Sequence, residues 1–320
     1  MEILNIKEVT KEFDKIVLDR ISFSVEEGDI YGIVGQSGSG KTTLLNLIIG
    51  FYEPNEGEIL YRLDENKKPK KIHHHLSEIR RKFGFSTQIS SFYPKLTIKE
   101  NLWHFGQLYN LPKSVLKNNI KNLLEFTELE KHQDKLAEQL SIGMRRRLDL
   151  SCALIHKPKI LLLDEPTSNL DPLLQEEILY LIQQANRQGI TIIIASHQLA
   201  GLEKICNKVA LIHQGKIIAH GPLEEIKRQC LQREGSIYFK AEEHHQQLIN
   251  YIKHLPVNQI INRGDYFILH SSHIQSTLYQ LMEITKQKNI ILKDIYIKKP
   301  SLQEAFEKLI KEKDIENEIQ

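Results

Sequence analysis

The stretch GQSGSGKT, residues 35–42, decides how the rest of the chain is read. It fits Gly-x-x-x-x-Gly-Lys-Thr, follows the short apolar run DIYGIVG (29–35), and leads into Leu44, Leu45, Leu47 and Ile48 at helical spacing. Strand, loop and helix succeed one another here, and that context separates a phosphate cradle from an ordinary glycine-rich turn. Glycines let backbone N–H groups wrap phosphate oxygens, and the start of the helix adds its positive end. Lys41 then reaches the β- and γ-phosphates, and the Thr42 hydroxyl is a ligand for Mg2+. Gly35, Gln36, Ser37, Gly38, Ser39, Gly40, Lys41, Thr42 and Thr43 form the candidate ATP-binding set.

Upstream, ILNIKEV and VLDRISFSV alternate with the turn signals KEFDK and EEG and read as strands. Downstream, KILLLDEP (159–166) and ITIIIASH (190–197) are nearly continuous apolar runs with helical stretches between them. Strands buried on both faces of a parallel sheet have this pattern, so the fold class is α/β. Residues 95–155 read as a helical subdomain: Thr97 precedes Glu100 by three, a capping-box signature, and SVLKNNIKNLLEFTEL continues the helical period. The polar segment RLDENKKPKKIHHHLSEIRRK (62–82) reads as a solvated loop, because adjacent histidines point in different directions and cannot converge on one metal. From Ser236 the order becomes β-α-β-β-α-β, with Asn262-Arg263-Gly264-Asp265 as a hairpin turn and SLQEAFEKLIKEK as a closing helix. A domain over 1–229 and a small ferredoxin-like α+β domain over 236–320 are expected.

Composition narrows the classes. In 320 residues, 26% are charged and 41% hydrophobic, which fits a globular chain of two domains. The formal charge of +2 gives no bulk support for nucleic-acid binding, and no nucleic-acid partner is expected. Cys152, Cys206 and Cys230 are odd in number and lack a Cys-x-x-Cys pair, so neither a disulfide framework nor a zinc site is expected. MEILNIKEVT has acids where a signal peptide has a basic start, and no apolar run approaches the roughly 20 residues of a membrane span. A cytoplasmic chain results, with any membrane role exercised through a partner.

ILLLDEP places Asp164 and Glu165 at the carboxyl end of a buried strand, where open α/β sheets bind ligands. Asp164 is the candidate Mg2+ ligand beside Thr42, and Glu165 the candidate base for the attacking water. With these residues in place, residues 1 to about 225 resemble the ATP-binding-cassette (ABC) ATPases, a branch of the P-loop NTPases. Phe13 falls where an aromatic ring stacks on adenine, Gln88 at the family's Q-loop glutamine, SNLD (168–171) with Asp171 at the D-loop, and His197 at the switch histidine. The resemblance implies catalytic roles for Glu165, His197 and Gln88, with Gln88 also on the Mg2+ side.

LSIGMRRRL (140–148) resembles the family signature Leu-Ser-Gly-Gly-Gln, with Ile142 for the first glycine and Met144 for the glutamine. In the family this loop caps the γ-phosphate of an ATP held by the opposite subunit, a role that Ser141 and Gly143 preserve. Successive helix positions fan out by about 100°, so Arg145, Arg146 and Arg147 cannot share one face, and a solvated or acid-paired helix start is the expected role. An anionic neighbour, ATP phosphate included, is the further expectation for Arg145. One copy of each motif implies a second ABC ATPase subunit, with a homodimer expected, and an integral membrane permease as partner. The departures at Ile142 and Met144, with the C-terminal extension PSLQEAF, resemble ATPases of ABC-2-type exporters. The alternative, an ABC ATPase acting on ribosomes or nucleic acid, would carry a second cassette or a long coiled coil, and residues 50–140 hold neither.

Overall fold

The computed structural model describes residues 1–62, 64, 66–231, 235–241, 245–264, 266–271, 273–298, 303, 306 and 310. These fall into two compact units, Met1–Leu223 and Glu224–Gln320. Sequence reading ends the first domain at 229; the division instead falls where a helix, Leu223–Leu231, begins.

The first unit opens with β1 (Glu2–Glu12), β2 (Ile16–Glu26) and β3 (Ile30–Gly35), followed by α1 (Lys41–Ile48), β4 (Glu56–Tyr61) and β5 (Lys70–Lys71). The segment read as a solvated loop is partly ordered: after β5 a 3-10 turn at Ile72–His74 leads into α2 (Leu76–Arg80). Two apolar residues explain this, since Ile72 and Ile79 are both buried in the core. Next come β6 (Phe83–Ser86), α3 (Ile98–Leu108), α4 (Lys113–Phe126) and α5 (Ile142–Leu154). The unit continues with β7 (Ile160–Asp164), α6 (Pro172–Arg187), β8 (Thr191–Ser196), α7 (Leu199–Leu202), β9 (Lys208–His213) and β10 (Lys216–Pro222), after which α8 (Leu223–Leu231) begins.

Strands β2, β1, β4 and β5 form an antiparallel sheet in that order. The second sheet, β10-β9-β3-β8-β7-β6, is parallel except where β10 pairs with β9. Every residue of β3, β7 and β8 is buried, which accounts for their continuous apolar runs. Leu4, Ile6, Leu18 and Ile21 of the first sheet share one core with Ile33, Leu44, Leu47, Leu162 and Ile193.

A separate apolar cluster holds the helical subdomain together, with Ile98, Leu102, Leu116, Ile120, Leu124, Leu148 and Cys152 at its centre. The expected capping box starts α3: the Thr97 hydroxyl accepts from Glu100 N–H at 3.1 Å, and the Glu100 carboxylate accepts from Thr97 N–H at 2.8 Å. Met144 packs against this cluster. Its apolar side chain has a place there that a glutamine's amide would leave poorly solvated.

The second unit contains β11 (Gly235–Ala241), α9 (His245–Ile252), β12 (Gln259–Asn262), β13 (Phe267–Ser271), α10 (Ile274–Gln287) and β14 (Leu292–Lys298). All its strand pairs are antiparallel, in the order β12-β13-β11-β14, and Ile237, Phe239, Leu248, Ile252, Phe267, Leu269 and Leu281 fill its core. Asp265 of the expected hairpin turn and most of the expected closing helix lie outside the described residues.

His156, just beyond α5, joins the helical subdomain to the parallel sheet. Its ring stacks on Tyr109 at 3.6 Å and 7°, and its Nε2–H donates to the Phe83 carbonyl at 2.9 Å. Burial pushes its pKa down to about 4, with Lys82 adding to the shift and the Phe83 carbonyl opposing it. Between the ordinary value of 6.5 and about 4, the unfolded chain binds a proton that the folded chain refuses. Stability from this group is full above pH 6.5 and falls as the pH drops toward 4. Urea midpoints at pH 7.5 and 5 should therefore drop less in His156→Gln than in the parent chain.

Candidate nucleotide site

The parallel register brings four strand ends level. Ser86 faces Leu163, Asp164 faces Ala195, and Val34 faces Ser196, so the loops leaving β6, β7, β8 and β3 form one row at the carboxyl edge. That row carries Gln88, Asp164–Glu165, Ser196–His197 and the loop 35–42.

Close packing shapes the loop 35–42. Gly40, the N-cap of α1, has φ 101°, and a Cβ there would lie 2.6 Å from Leu18 Cδ2. At Gly35 a Cβ would meet the Ile212 carbonyl at 2.4 Å. Lys41 is 6% exposed; its ammonium donates to the carbonyls of Gly35 at 2.8 Å and Gln36 at 3.0 Å, and lies 3.8 Å from Glu165 Oε1. Burial lowers its pKa, against the pull of Glu165 and Asp164. Gln36, Ser37, Gly38 and Thr42 are exposed, while the buried Ser39 hydroxyl has no hydrogen-bond partner among the described residues. Thr43 is half-buried.

Thr42 donates its hydroxyl proton to Asp164 Oδ2 at 2.8 Å. The other oxygen, Oδ1, is buried without a partner among the described residues. Burial raises the Asp164 pKa and Glu165 adds to it; Thr42, Lys41 and Arg146 oppose the rise without cancelling it. The carboxylate is thus short of positive charge, and an oxygen pair with one orphan lone-pair set fits a hard cation. Among the described residues no group of three His, Cys, Asp or Glu side chains could hold a metal by itself.

Glu165 stands at φ 51°, left-handed for a non-glycine residue, a strain of order 1–3 kcal/mol that its surroundings must hold. They do so from every side. Its N–H donates to the Ala195 carbonyl at 2.9 Å, and its carbonyl accepts from the Ser168 hydroxyl at 3.0 Å. Oε1 accepts from His197 N–H at 3.0 Å and from His197 Nδ1–H at 2.9 Å, and Oε2 accepts from Ser196 at 3.2 Å.

The remaining candidates stand away from this cluster. Gln88 is exposed in the loop after β6. Phe13, 50% exposed, meets Tyr52 edge-on at 5.3 Å with Lys11 over its ring. Ser141 caps α5, its exposed hydroxyl accepting from Met144 N–H at 3.3 Å, and Gly143 is buried in the first turn. Asp171 likewise caps α6, accepting from Leu174 N–H at 3.0 Å. Ile142 is 52% exposed, so nothing in the chain itself demands a glycine there.

The three arginines go three ways. Arg145 does not reach the site: its guanidinium donates to the carbonyls of Leu140 at 3.0 Å and Glu138 at 2.7 Å, tightening its own loop. Arg147 is the acid-paired one, bonding Glu128 at 2.6 Å, Glu177 at 2.9 Å and the Thr127 carbonyl at 2.9 Å. Arg146 points to the row of loops, bonding the Thr87 carbonyl at 3.3 Å and the Ser168 hydroxyl at 3.4 Å. Sequence reading missed Arg146, Ser168 and Ser196; for Arg146 the signal was its helical phase with Asp149, three residues on.

The ABC transporter profile matches residues 18–168. The bacitracin transport ATP-binding protein of Bacillus licheniformis is 31% identical over 294 residues, 92% of each chain. The chain belongs to the ABC transporter ATP-binding proteins. The Nod factor export ATP-binding protein I of Burkholderia lata is 35% identical, covering 68% of this chain and 70% of that one. The linearmycin resistance ATP-binding protein of Bacillus subtilis is 34% identical, covering 65% of each. Among solved structures, a subunit of an ABC transporter complex from Clostridium perfringens superposes with TM-score 0.63 at 27% identity, covering 72% of this chain and 95% of that one. The chain is accordingly an ATP-binding ATPase subunit of a transporter, and such subunits work with membrane permeases.

Arg147 is a structural member of the signature helix. Replacing it with alanine strands Glu177 and the Thr127 carbonyl, and should cost about 2–3 kcal/mol in chemical denaturation. ATP affinity of the folded fraction, measured by equilibrium binding, should stay unchanged.

Proposed function

We propose that this ATPase powers export through a separate permease, hydrolysing Mg2+-ATP at the row of loops between β3 and β6. The observation that supports it most is Glu165, strained, buried and fixed by Ser196 and His197 at the end of β7. Backbone N–H groups of 35–42 and the start of α1 cradle the phosphates, with Lys41 exchanging its carbonyl partners for β- and γ-phosphate oxygens. The Ser39 hydroxyl, without a partner in the chain, gains one in phosphate. Thr42, Asp164 through its orphan oxygen, and Gln88 would hold Mg2+. Held there, Mg2+ would neutralise charge on the leaving phosphates. Glu165 takes the proton of the attacking water as its oxygen bonds to the γ-phosphorus and the bridging P–O bond to the β-phosphate breaks. His197 orients that carboxylate. Phe13 offers an exposed ring for the adenine.

The exposed side chains of Ser141 and Asp171 cap their own helices, and Gly143 lies in the first turn beside Ser141. Their use requires another subunit, and a second copy supplies it: each signature covers its neighbour's γ-phosphate. Export is supported by relatives whose names specify Nod factor export and linearmycin resistance. A permease has a docking place in a cavity of about 620 Å3 lined by Phe51, Arg80, Phe85, Thr87, Leu108 and Tyr109, where Phe51 and Leu108 are largely exposed. Thr87 adjoins Gln88, so pressure on this cavity reaches the hydrolysis site. No described helix is long and apolar enough to cross a membrane, and docking on the permease would hold the chain at the cytoplasmic face. The second unit, with a core of its own, contacts its twin or regulates the cassette.

Glu165→Gln is the decisive variant. Purified protein should lose turnover by at least about 100-fold while binding ATP as tightly as the parent. Unchanged turnover would remove Glu165 as the base.

A further inference from the structure

Helix α5 grips the loop after β6 on both sides of Gln88. On one side Arg146 donates to the Thr87 carbonyl at 3.3 Å. On the other, Asp149 accepts from the Ser91 N–H at 3.1 Å. Arg146 and Asp149 are three residues apart and share one helix face. Between the two anchors the chain turns tightly, the Thr87 hydroxyl donating to the Ile89 carbonyl at 2.5 Å, and Gln88 and Ile89 project outward as exposed residues. Arg146 also reaches Ser168, whose hydroxyl in turn bonds the Glu165 carbonyl at 3.0 Å.

The chemistry of this pair is expensive for packing alone. Asp149 is 2% exposed, and its Oδ2 lacks a hydrogen-bond partner among the described residues. Burial raises its pKa despite Ser90, Ser91 and Arg146, and burial lowers that of Arg146 despite Asp149, Asp164 and Glu165. Apolar residues of similar size would often fill such a space at lower cost, and what the polar pair does here is hold Thr87 and Ser91.

We propose that Arg146 and Asp149 are positioning residues that fix the Gln88 loop from both flanks. One helix then sets both the signature at its start and the reach of Gln88 toward the ATP site. Through Ser168 the same helix also braces the turn that carries Glu165. This proposal rests on the reading of Gln88 as a site residue.

A double-mutant cycle on the purified full chain tests it, with kcat, KM for Mg2+-ATP and thermal midpoint read for each variant. Arg146→Gln should lower kcat about tenfold and leave KM within about threefold, because the phosphate loop is untouched. Arg146→Lys keeps a charged donor and should recover part of the loss. Asp149→Asn keeps an acceptor for Ser91 and should lose less than Asp149→Ala. In a Gln88→Ala background, Arg146→Gln should add little, since both changes remove the same placement. If the two losses multiply, or if Arg146→Gln turns over like the parent while Gln88→Ala is slow, the proposal alone is overturned. A Gln88→Ala chain that turns over normally would overturn the role of Gln88 along with it.

Discussion

Asp164 and Glu165 bring two adjacent carboxylates to the end of a strand whose every residue is buried, and the first unit is arranged around that unbalanced charge. Lys41 stands 3.8 Å from Glu165 and reaches there because the chain before it wraps so closely that Gly35 and Gly40 leave no room for a side chain. One ammonium at about 4 Å contributes on the order of 4 kcal/mol at an effective dielectric constant near 20, before desolvation is counted. Arg146 adds to it, yet burial still shifts the Asp164 pKa upward. Its orphan Oδ1 leaves a place for a cation from outside the chain. The strained backbone of Glu165 belongs to the same arrangement, since hydrogen bonds with Ala195, Ser168, Ser196 and His197 hold it.

The signature helix does more than present Ser141. Its N-terminal turn faces outward, Met144 anchors it on the helical cluster, Arg147 ties it to α6 through Glu177, and Arg146 with Asp149 holds the Gln88 loop. Thr87, which lines the cavity beside the Gln88 loop, is thus tied to the same helix that starts at the signature.

Much of this was legible in the sequence because it depends on local periodicity and fixed spacing. GQSGSGKT between an apolar run and a helical pattern announced the strand, the loop and α1, and the runs before Asp164 and His197 announced the two strands beside it. The capping box of α3 was readable for the same reason. Long-range pairings were not readable. RRR at 145–147 looks uniform as text, yet one residue closes its own loop, one braces two acids and one reaches Thr87, because 100° steps send them to different neighbours. The segment at 62–82 misled through its polarity: two isoleucines placed to enter the core suffice to order α2 among lysines and histidines. Sequence also suggested an anionic neighbour for Arg145, whereas backbone carbonyls only a few residues away satisfy it.

On the proposed reading, another chain's Ser141 completes the ATP site. Mixing purified Lys41→Ala and Ser141→Arg chains tests this. Each variant alone lacks one half of every site and should be inactive. In the mixture, the intact loop 35–42 of the Ser141→Arg chain meets the intact signature of the Lys41→Ala chain, and ATP hydrolysis should reappear. A mixture as inactive as its parents, at concentrations where the unaltered chain turns over, would contradict it.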